Sequence, residues 1–329
     1  MFNRLRFRHL FAKFVYVFRL APVFWRQNAD FFSIVTYHNM SNEPAEGDDL
    51  EVSFQTIEQQ IRTLKDEYNL LPCISGLDSL FAPQGGELRT PVVILTIDDA
   101  DCNILQLVPI LEKYQVPITL FAPVGFCLDE ESLDGLRSRC LHLGAFNLLN
   151  KVEGHERYNF ENYFHEVMSL NNGQLKALLD KLLIETDSDR DPLTERKLLN
   201  VKDLEKISKH ELVTLASHSM SHVRLALLPD KWLRWEIEQS IDYIKDWGGD
   251  GAIFSYPYGN KGSFNSVTQK VLEGKGVKYA FTSLANNSVA STIPHAIGRS
   301  YLFNSADRKY VLGTAGGAFE LFDRILGRT

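Results

Sequence analysis

The feature that most restricts the fold of this chain is a series of short apolar runs, most of which end in a chemically reactive side chain. Phe31 to Tyr37 leads into His38, Val92 to Ile97 into the pair Asp98 and Asp99, and Leu212 to Ala216 into His218 and His222. Ile118 to Ala122 stops at Pro123, Ala252 to Ser255 leads into Tyr256-Pro257-Tyr258-Gly259, and Lys278 to Thr282 enters a polar loop. Short apolar runs separated by helical or loop-like sequence point to a mostly parallel α/β sheet or barrel. In such folds the loops after the carboxyl ends of the strands converge on one face, and sites are built there.

Helical patterns fill the gaps. Phe54, Ile57, Ile61 and Leu64 recur at helical spacing and predict an amphipathic helix from Phe54 to Glu67, with another from Asn103 to Tyr114. Trp232, Trp235 and Ile237 to Ile244 predict a further amphipathic helix packed on the sheet. The stretch from about 130 to 210 is longer than a simple crossover and carries a charged segment, Glu185 to Pro192, between helical patterns. It is expected to be a helical insertion within one domain spanning 30–329.

The chain has 329 residues, with 35 Lys and Arg against 42 Asp and Glu, a net charge of −7. A broad basic surface for nucleic acid is therefore not expected, whereas 44% apolar residues suffice for a sizeable core. Cys73, Cys102, Cys127 and Cys140 form no CxxC pair, which speaks against a zinc ribbon or dithiol site and for reduced, buried cysteines.

Residues 1–29 carry Arg4, Arg6, Arg8, Lys13, Arg19 and Arg26 and no acid, with Phe, Leu, Val and Tyr between them. The longest apolar run, Phe14 to Phe18, falls far short of the roughly 20 residues of a membrane-spanning helix. No small-residue cleavage pattern of a secretory signal is seen. Two readings stand: a basic amphipathic segment lying on an anionic membrane surface, or a helix packed along the domain edge with its arginines in water. The expected location is accordingly cytoplasmic or peripheral to a membrane.

His218 and His222 offer two imidazoles four residues apart, a weak signal alone that gains weight because it follows a strand, as the two aspartates do. Adjacent carboxylates at the end of a buried strand each raise the pKa of the other unless something positive sits nearby. A divalent cation removes that conflict: one aspartate joins the imidazoles as a ligand, and the other stays ionised and takes a proton from water activated by the cation. The competing readings are an aspartate that caps the helix beginning near Asn103, and two ordinary loop histidines.

In order and approximate spacing, Leu95-Thr-Ile-Asp98-Asp99-Ala100, Ser217-His218-Ser-Met-Ser-His222 and Phe254-Ser-Tyr-Pro257-Tyr258-Gly259 resemble the signature segments of the metal-dependent polysaccharide deacetylases, carbohydrate esterase family 4. The resemblance spans about residues 31–305. It implies an irregular (β/α) barrel that hydrolyses an N-acetyl group, with Asp98 as general base, Asp99, His218 and His222 as metal ligands, and the Tyr258 backbone N–H holding the oxyanion. Tyr37-His38 looks like a segment of the circularly permuted subgroup acting on poly-N-acetylglucosamine, in which an early strand supplies the general acid; this assigns the acid to His38, ahead of His295.

Two positions depart from the family pattern. The motif glycine after the aspartates is Ala100, and the arginine that many members carry two residues before the Pro-Tyr pair is Ser255. Pro294-His-Ala-Ile-Gly-Arg299 resembles a late segment that carries an arginine, so Arg299 is the candidate to orient Asp98. The expected partner is an N-acetylated glycan, polymeric or lipid-linked, and the expected cofactor is a divalent ion, Zn2+ first, with Co2+, Ni2+ or Mn2+ as alternatives. An amidase acting on a non-sugar C–N bond and a catalytically silent carbohydrate-binding barrel are the other readings.

Overall fold

The computed structural model describes residues 2–18, 32–45, 50–81, 92–150, 160–186, 193, 196–284, 293–318 and 321. Its strands in chain order are β1 (Phe32–Tyr37), β2 (Asn39–Ser41), β3 (Glu51–Ser53), β4 (Asn69–Leu70), β5 (Val92–Ile97), β6 (Ile118–Ala122), β7 (Val213–Ser217), β8 (Ile253–Ser255), β9 (Tyr279–Phe281) and β10 (Ser300–Tyr301). Eight of them form one sheet in the order β10-β1-β5-β6-β7-β8-β9, with β4 beside the start of β5, and β2 pairs with β3 separately. Every pairing in the large sheet is parallel. Each of the six runs expected to form strands does so, within a residue at either end. The short β10 has too little apolar sequence to announce itself.

That strand closes the curl. Ile297 bridges to Phe281 on β9, and three residues later Ser300 and Tyr301 pair with Val35 and Thr36 on β1. The segment 297–301 is thus the seam joining the two ends of the sheet into a barrel.

Strand side chains alternate between two faces, and the burial follows that alternation. Phe32, Ile34, Val92, Ile94, Phe121, Ala216, Ile253 and Phe281 form one apolar cluster, the barrel interior, whereas Val35, Tyr37, Val93, Leu95 and Ile97 belong to another that packs under the helices. Continuing the inward register by steps of two leads from Ile34 through Thr36 to His38, from Ile94 through Thr96 to Asp98, from Ala216 to His218, and from Ile253 to Ser255. The period-two pattern that builds the core therefore aims four polar side chains at one spot above it.

The helix Phe54–Glu67 begins where Ser53 Oγ accepts the Thr56 N–H at 3.0 Å, and it buries Phe54, Ile57, Ile61 and Leu64 as expected, with Gln60 among them. Gln60 Nε2 donates to the carbonyls of Phe303 (2.7 Å) and Ser305 (2.9 Å), and its Oε1 accepts from Tyr37 Oη at 3.0 Å. The helix Ile104–Tyr114 does not start on Asp98 or Asp99; Asp101 Oδ1 accepts the Asn103 N–H in the turn ahead of it. The helix expected around Trp232 to Ile244 is present as one unbroken helical run, made of Asp230–Arg234, a π turn Trp235–Gln239 and Ser240–Asp246.

Between β6 and β7 lie the helices Leu133–Asn150, Phe160–Ser169 and Asn172–Thr186, so the long connection is helical, while most of the charged stretch Glu185 to Pro192 lies outside the described residues. The chain returns antiparallel to the aspartate loop: Cys102 N donates to Lys197 O and Leu199 N to Ala100 O, both at 2.9 Å. All four cysteines are free thiols, but Cys102, expected to be buried, is only half-buried beside the aspartate loop, whereas burial pushes Cys73, Cys127 and Cys140 up to about 12.

Gln60→Leu should remove the partner of the buried Tyr37 hydroxyl and of two half-buried carbonyls. A loss of about 2–4 kcal/mol in urea unfolding is expected, from unmet buried polar groups outweighing the added apolar contact.

Candidate active site

Asp98 is almost fully buried at the end of β5, and the guanidinium of Arg299, equally buried, grips it with both prongs: Nη1 to Oδ1 at 2.7 Å and Nη2 to Oδ2 at 2.6 Å. Arg299 is itself fixed by the Thr282 carbonyl (Nε, 3.1 Å), the hydroxyls of Thr36 and Thr96 (3.3 Å each) and Ser255 Oγ (2.9 Å), and it lies over the rings of Phe121 and Phe281. Ser255 therefore serves as acceptor for an arginine arriving from the seam. Burial raises the Asp98 carboxyl, but the charge and hydrogen bonds of Arg299 outweigh it and hold the group well below the usual carboxylate range. Asp98 is thus ionised, oriented and unable to swing.

His218 continues β7. Its Nδ1 lies 2.8 Å from the Ser255 carbonyl, which can only accept, so the ring proton sits there and Nε2 is left with its lone pair. That Nε2 is 3.6 Å from Asp99 Oδ1, and His222 Nε2 is 3.5 Å from the same oxygen. Asp99 Oδ1 is buried and has no hydrogen-bond partner among the described residues. One ligand atom from each of Asp99, His218 and His222 lies within 4.8 Å of the others. Ligands about 2.0–2.1 Å from a tetrahedral zinc stand roughly 3.4 Å apart, so the observed separations suit a small divalent cation. The donor set is one such an ion takes, and an orphaned carboxylate oxygen facing an imidazole lone pair is what it would satisfy.

His38 ends β1 with Nε2 3.7 Å from Asp98 Oδ2, and its ring stacks on Tyr301 at 5.3 Å between centroids. Burial pushes its pKa below the ordinary value, although Asp98 and Asp99 pull it back up. Tyr258 stands on the far side, its ring 5.1 Å from that of His222 and beneath the Arg224 guanidinium. Its backbone is left-handed (φ 62°), as is that of Gly259, where a Cβ would fall 2.4 Å from Ser283 N. His295 turns away to the Val277 carbonyl at 2.8 Å. The structure thus brings Asp98, Asp99, His218, His222, His38 and Arg299 together, with Tyr258 at the rim.

Of the six non-glycine residues with left-handed backbone among the described residues, five lie in these loops: Asp99, Ala100, Ser219, His222 and Tyr258. Such conformations cost about 1–3 kcal/mol each and persist where surroundings over-determine them. For the histidine loop the restraint is Glu236, fully buried in the π turn. It accepts the backbone N–H groups of Met220 (3.0 Å) and Ser221 (2.9 Å) and the Ser221 hydroxyl. From the other side, buried His142 on the helix Leu133–Asn150 reaches the carbonyls of Ser221 and His222, each at 3.1 Å. Arg196, on the returning chain, places Nη1 3.7 Å from Asp99 Oδ2. Sequence reasoning missed these three residues; the one available signal was Glu236 as an acid within an otherwise apolar helical stripe.

The parallel sheet curled into a barrel and surrounded by helices matches the fold of solved polysaccharide deacetylases. Residues 174–280 match the family model described as polysaccharide deacetylase, a span that includes His218, His222 and Tyr258 but neither aspartate. Among solved structures the fold resembles the Streptococcus pyogenes deacetylase PplD in complex with acetate (TM-score 0.59, 17% identity, 87% of this chain and 98% of that one). It also resembles IcaB from Ammonifex degensii (TM-score 0.56, 15% identity, covering 88% and 97%) and a de-N-acetylase from Aggregatibacter actinomycetemcomitans (TM-score 0.51, 16% identity, covering 84% and 95%). No curated protein sequence matches the chain.

Two measurements test this geometry. Because the Asp98 pKa is depressed in the folded state, the stability it contributes is full above the ordinary carboxylate range and is lost as pH falls through the folded value. Asp98→Asn should therefore destabilise by about 3–5 kcal/mol at neutral pH, through the unpaired Arg299, with the gap to the unaltered protein narrowing in acid urea titrations. Glu236→Leu should weaken divalent-metal affinity by about 10–100-fold in calorimetric titration, as loss of a group supporting a ligand loop does.

Proposed function

We propose that this protein is a metal-dependent N-deacetylase of N-acetylated sugars in a polysaccharide or lipid-linked glycan, related to the circularly permuted poly-N-acetylglucosamine deacetylases. The observation that carries the proposal is the convergence of a clamped, ionised Asp98 with three cation-ligating side chains on one side and His38 on the other. The family match over residues 174–280 and the deacetylase neighbours support the same reading.

Asp99, His218 and His222 would hold the cation. When bound, it supplies Lewis-acid polarisation of the acetyl carbonyl and lowers the pKa of water. Asp98, held by Arg299, accepts the proton of the attacking water and has no freedom to rotate out of line. The Tyr258 N–H donates to the oxygen that gains negative charge on the acetyl carbon. His38 Nε2 delivers a proton to the departing sugar nitrogen, and acetate and a free amine leave. The stacking of His38 on Tyr301 fixes the ring for that transfer.

Acetate release from oligomers of N-acetylglucosamine should require a divalent ion, cease on chelation, and return with Zn2+, Co2+, Ni2+ or Mn2+. Asp98→Asn should lose about 10²–10⁴-fold in turnover while keeping its metal content by elemental analysis. Undiminished turnover in that variant would remove Asp98 from its role, and sugar binding without acetate release across a panel of acetylated glycans would favour the silent carbohydrate-binding barrel.

A further inference from the structure

The helix Phe2–Val17 is apolar on two opposite sides. One side is built into the domain. Ala12 and Val15 are buried against the helix Arg308–Ala315, where Gly313 lets the backbones meet; a Cβ there would fall 2.1 Å from the Ala12 carbonyl oxygen. His9 stacks on Tyr310 at 3.7 Å, and Lys13 pairs with Asp307 at 3.0 Å. The edge-packed reading of this segment therefore holds for that side.

The other side is not explained by it. Leu10, Phe14, Val17 and Phe18 are 65, 47, 52 and 61% exposed, and Phe7, one turn earlier on the same side, is 55% exposed. Spacings of three and four residues align them in one continuous stripe. Single exposed apolar residues are ordinary, but a stripe of leucine and phenylalanine marks an interaction surface. Its charge setting selects the partner. Residues 1–29 carry six cations and no acid, a charge of +6 in a protein of −7, so the remainder carries −7 − 6 = −13; Lys13 is matched by Asp307, and net of that pair the segment carries +5. A twofold contact between two copies would set these basic segments against each other. No helix among the described residues is long and apolar enough to cross a membrane.

We infer that this outward stripe docks on the surface of an anionic lipid bilayer, with the helix lying in the interfacial plane. The helix is fastened to the catalytic barrel rather than tethered to it. Tyr310, under His9, accepts the Phe303 N–H at 3.0 Å, Phe303 stacks on Tyr301, and Tyr301 stacks on His38. Docking therefore sets the orientation of the catalytic mouth relative to the lipid surface. The inference does not depend on the deacetylase reading.

Sedimentation of the full chain with vesicles tests it. The protein should pellet with vesicles of phosphatidylglycerol and phosphatidylcholine and lose that binding in pure phosphatidylcholine or at high salt. Leu10→Gln with Phe14→Gln should weaken the partition about tenfold or more, by removing two large apolar side chains from the contact. The same variant should keep its melting temperature and its acetate release from soluble oligomers, since both side chains lie outside the core. Equal vesicle binding by this variant, or none by the unaltered protein, would overturn the inference. So would a concentration-dependent dimer that the two substitutions abolish in the absence of any vesicle binding, which would give the stripe to a second copy.

Discussion

The bidentate bond between Arg299 and Asp98 is the interaction around which the rest of the structure is arranged. A buried carboxylate beside a second carboxylate is unstable without a compensating cation, and a buried guanidinium is unstable without acceptors for its N–H groups. Each solves the other's problem. The residues that complete the solution, Thr36, Thr96, Ser255 and the Thr282 carbonyl, come from four different parts of the barrel wall. Orienting the carboxylate and closing the barrel are consequently one structural event, because Arg299 sits on the seam that joins β9 to β1.

Around this rigid centre the loops are held in conformations that the backbone disfavours. Asp99, Ala100, Ser219, His222 and Tyr258 all have left-handed backbones. What restrains them is a further layer of buried polar groups, Glu236 below the histidine loop and His142 beside it. Burial raises the Glu236 carboxyl, against the pull of the hydrogen bonds it accepts. That such a costly residue stands in a π turn fits the general placement of these irregularities at functional sites.

The strands were legible because burial on both faces imposes continuous apolar runs, and β1 and β5 show it with every residue buried. The helix Phe54–Glu67 was legible from its periodicity, and the structure adds the capping serine Ser53. The principal site residues were legible because they follow those strands in register. What the sequence concealed depends on contacts distant along the chain. β10 spans two residues and exists through its pairing with β1; the π turn looks helical in hydropathy; and Arg196 reaches Asp99 through a backbone pairing between segments nearly one hundred positions apart. The role of Ser255 as a partner of Arg299 likewise follows from three-dimensional closure, since nothing in its neighbourhood in the chain names that arginine.

The seam has a further consequence for how the protein comes into being. Asp98 and Arg299 are 201 positions apart, and the strand that bears His38 acquires its second neighbour when Ser300 and Tyr301 arrive. During translation Asp98 must therefore wait for its guanidinium partner until the segment bearing Arg299 has been made. Long-range closure of this kind folds slowly. A nascent chain cannot assemble a working centre early, and proteolytic loss of the late segment would disarm the site even if every residue preceding the seam were intact.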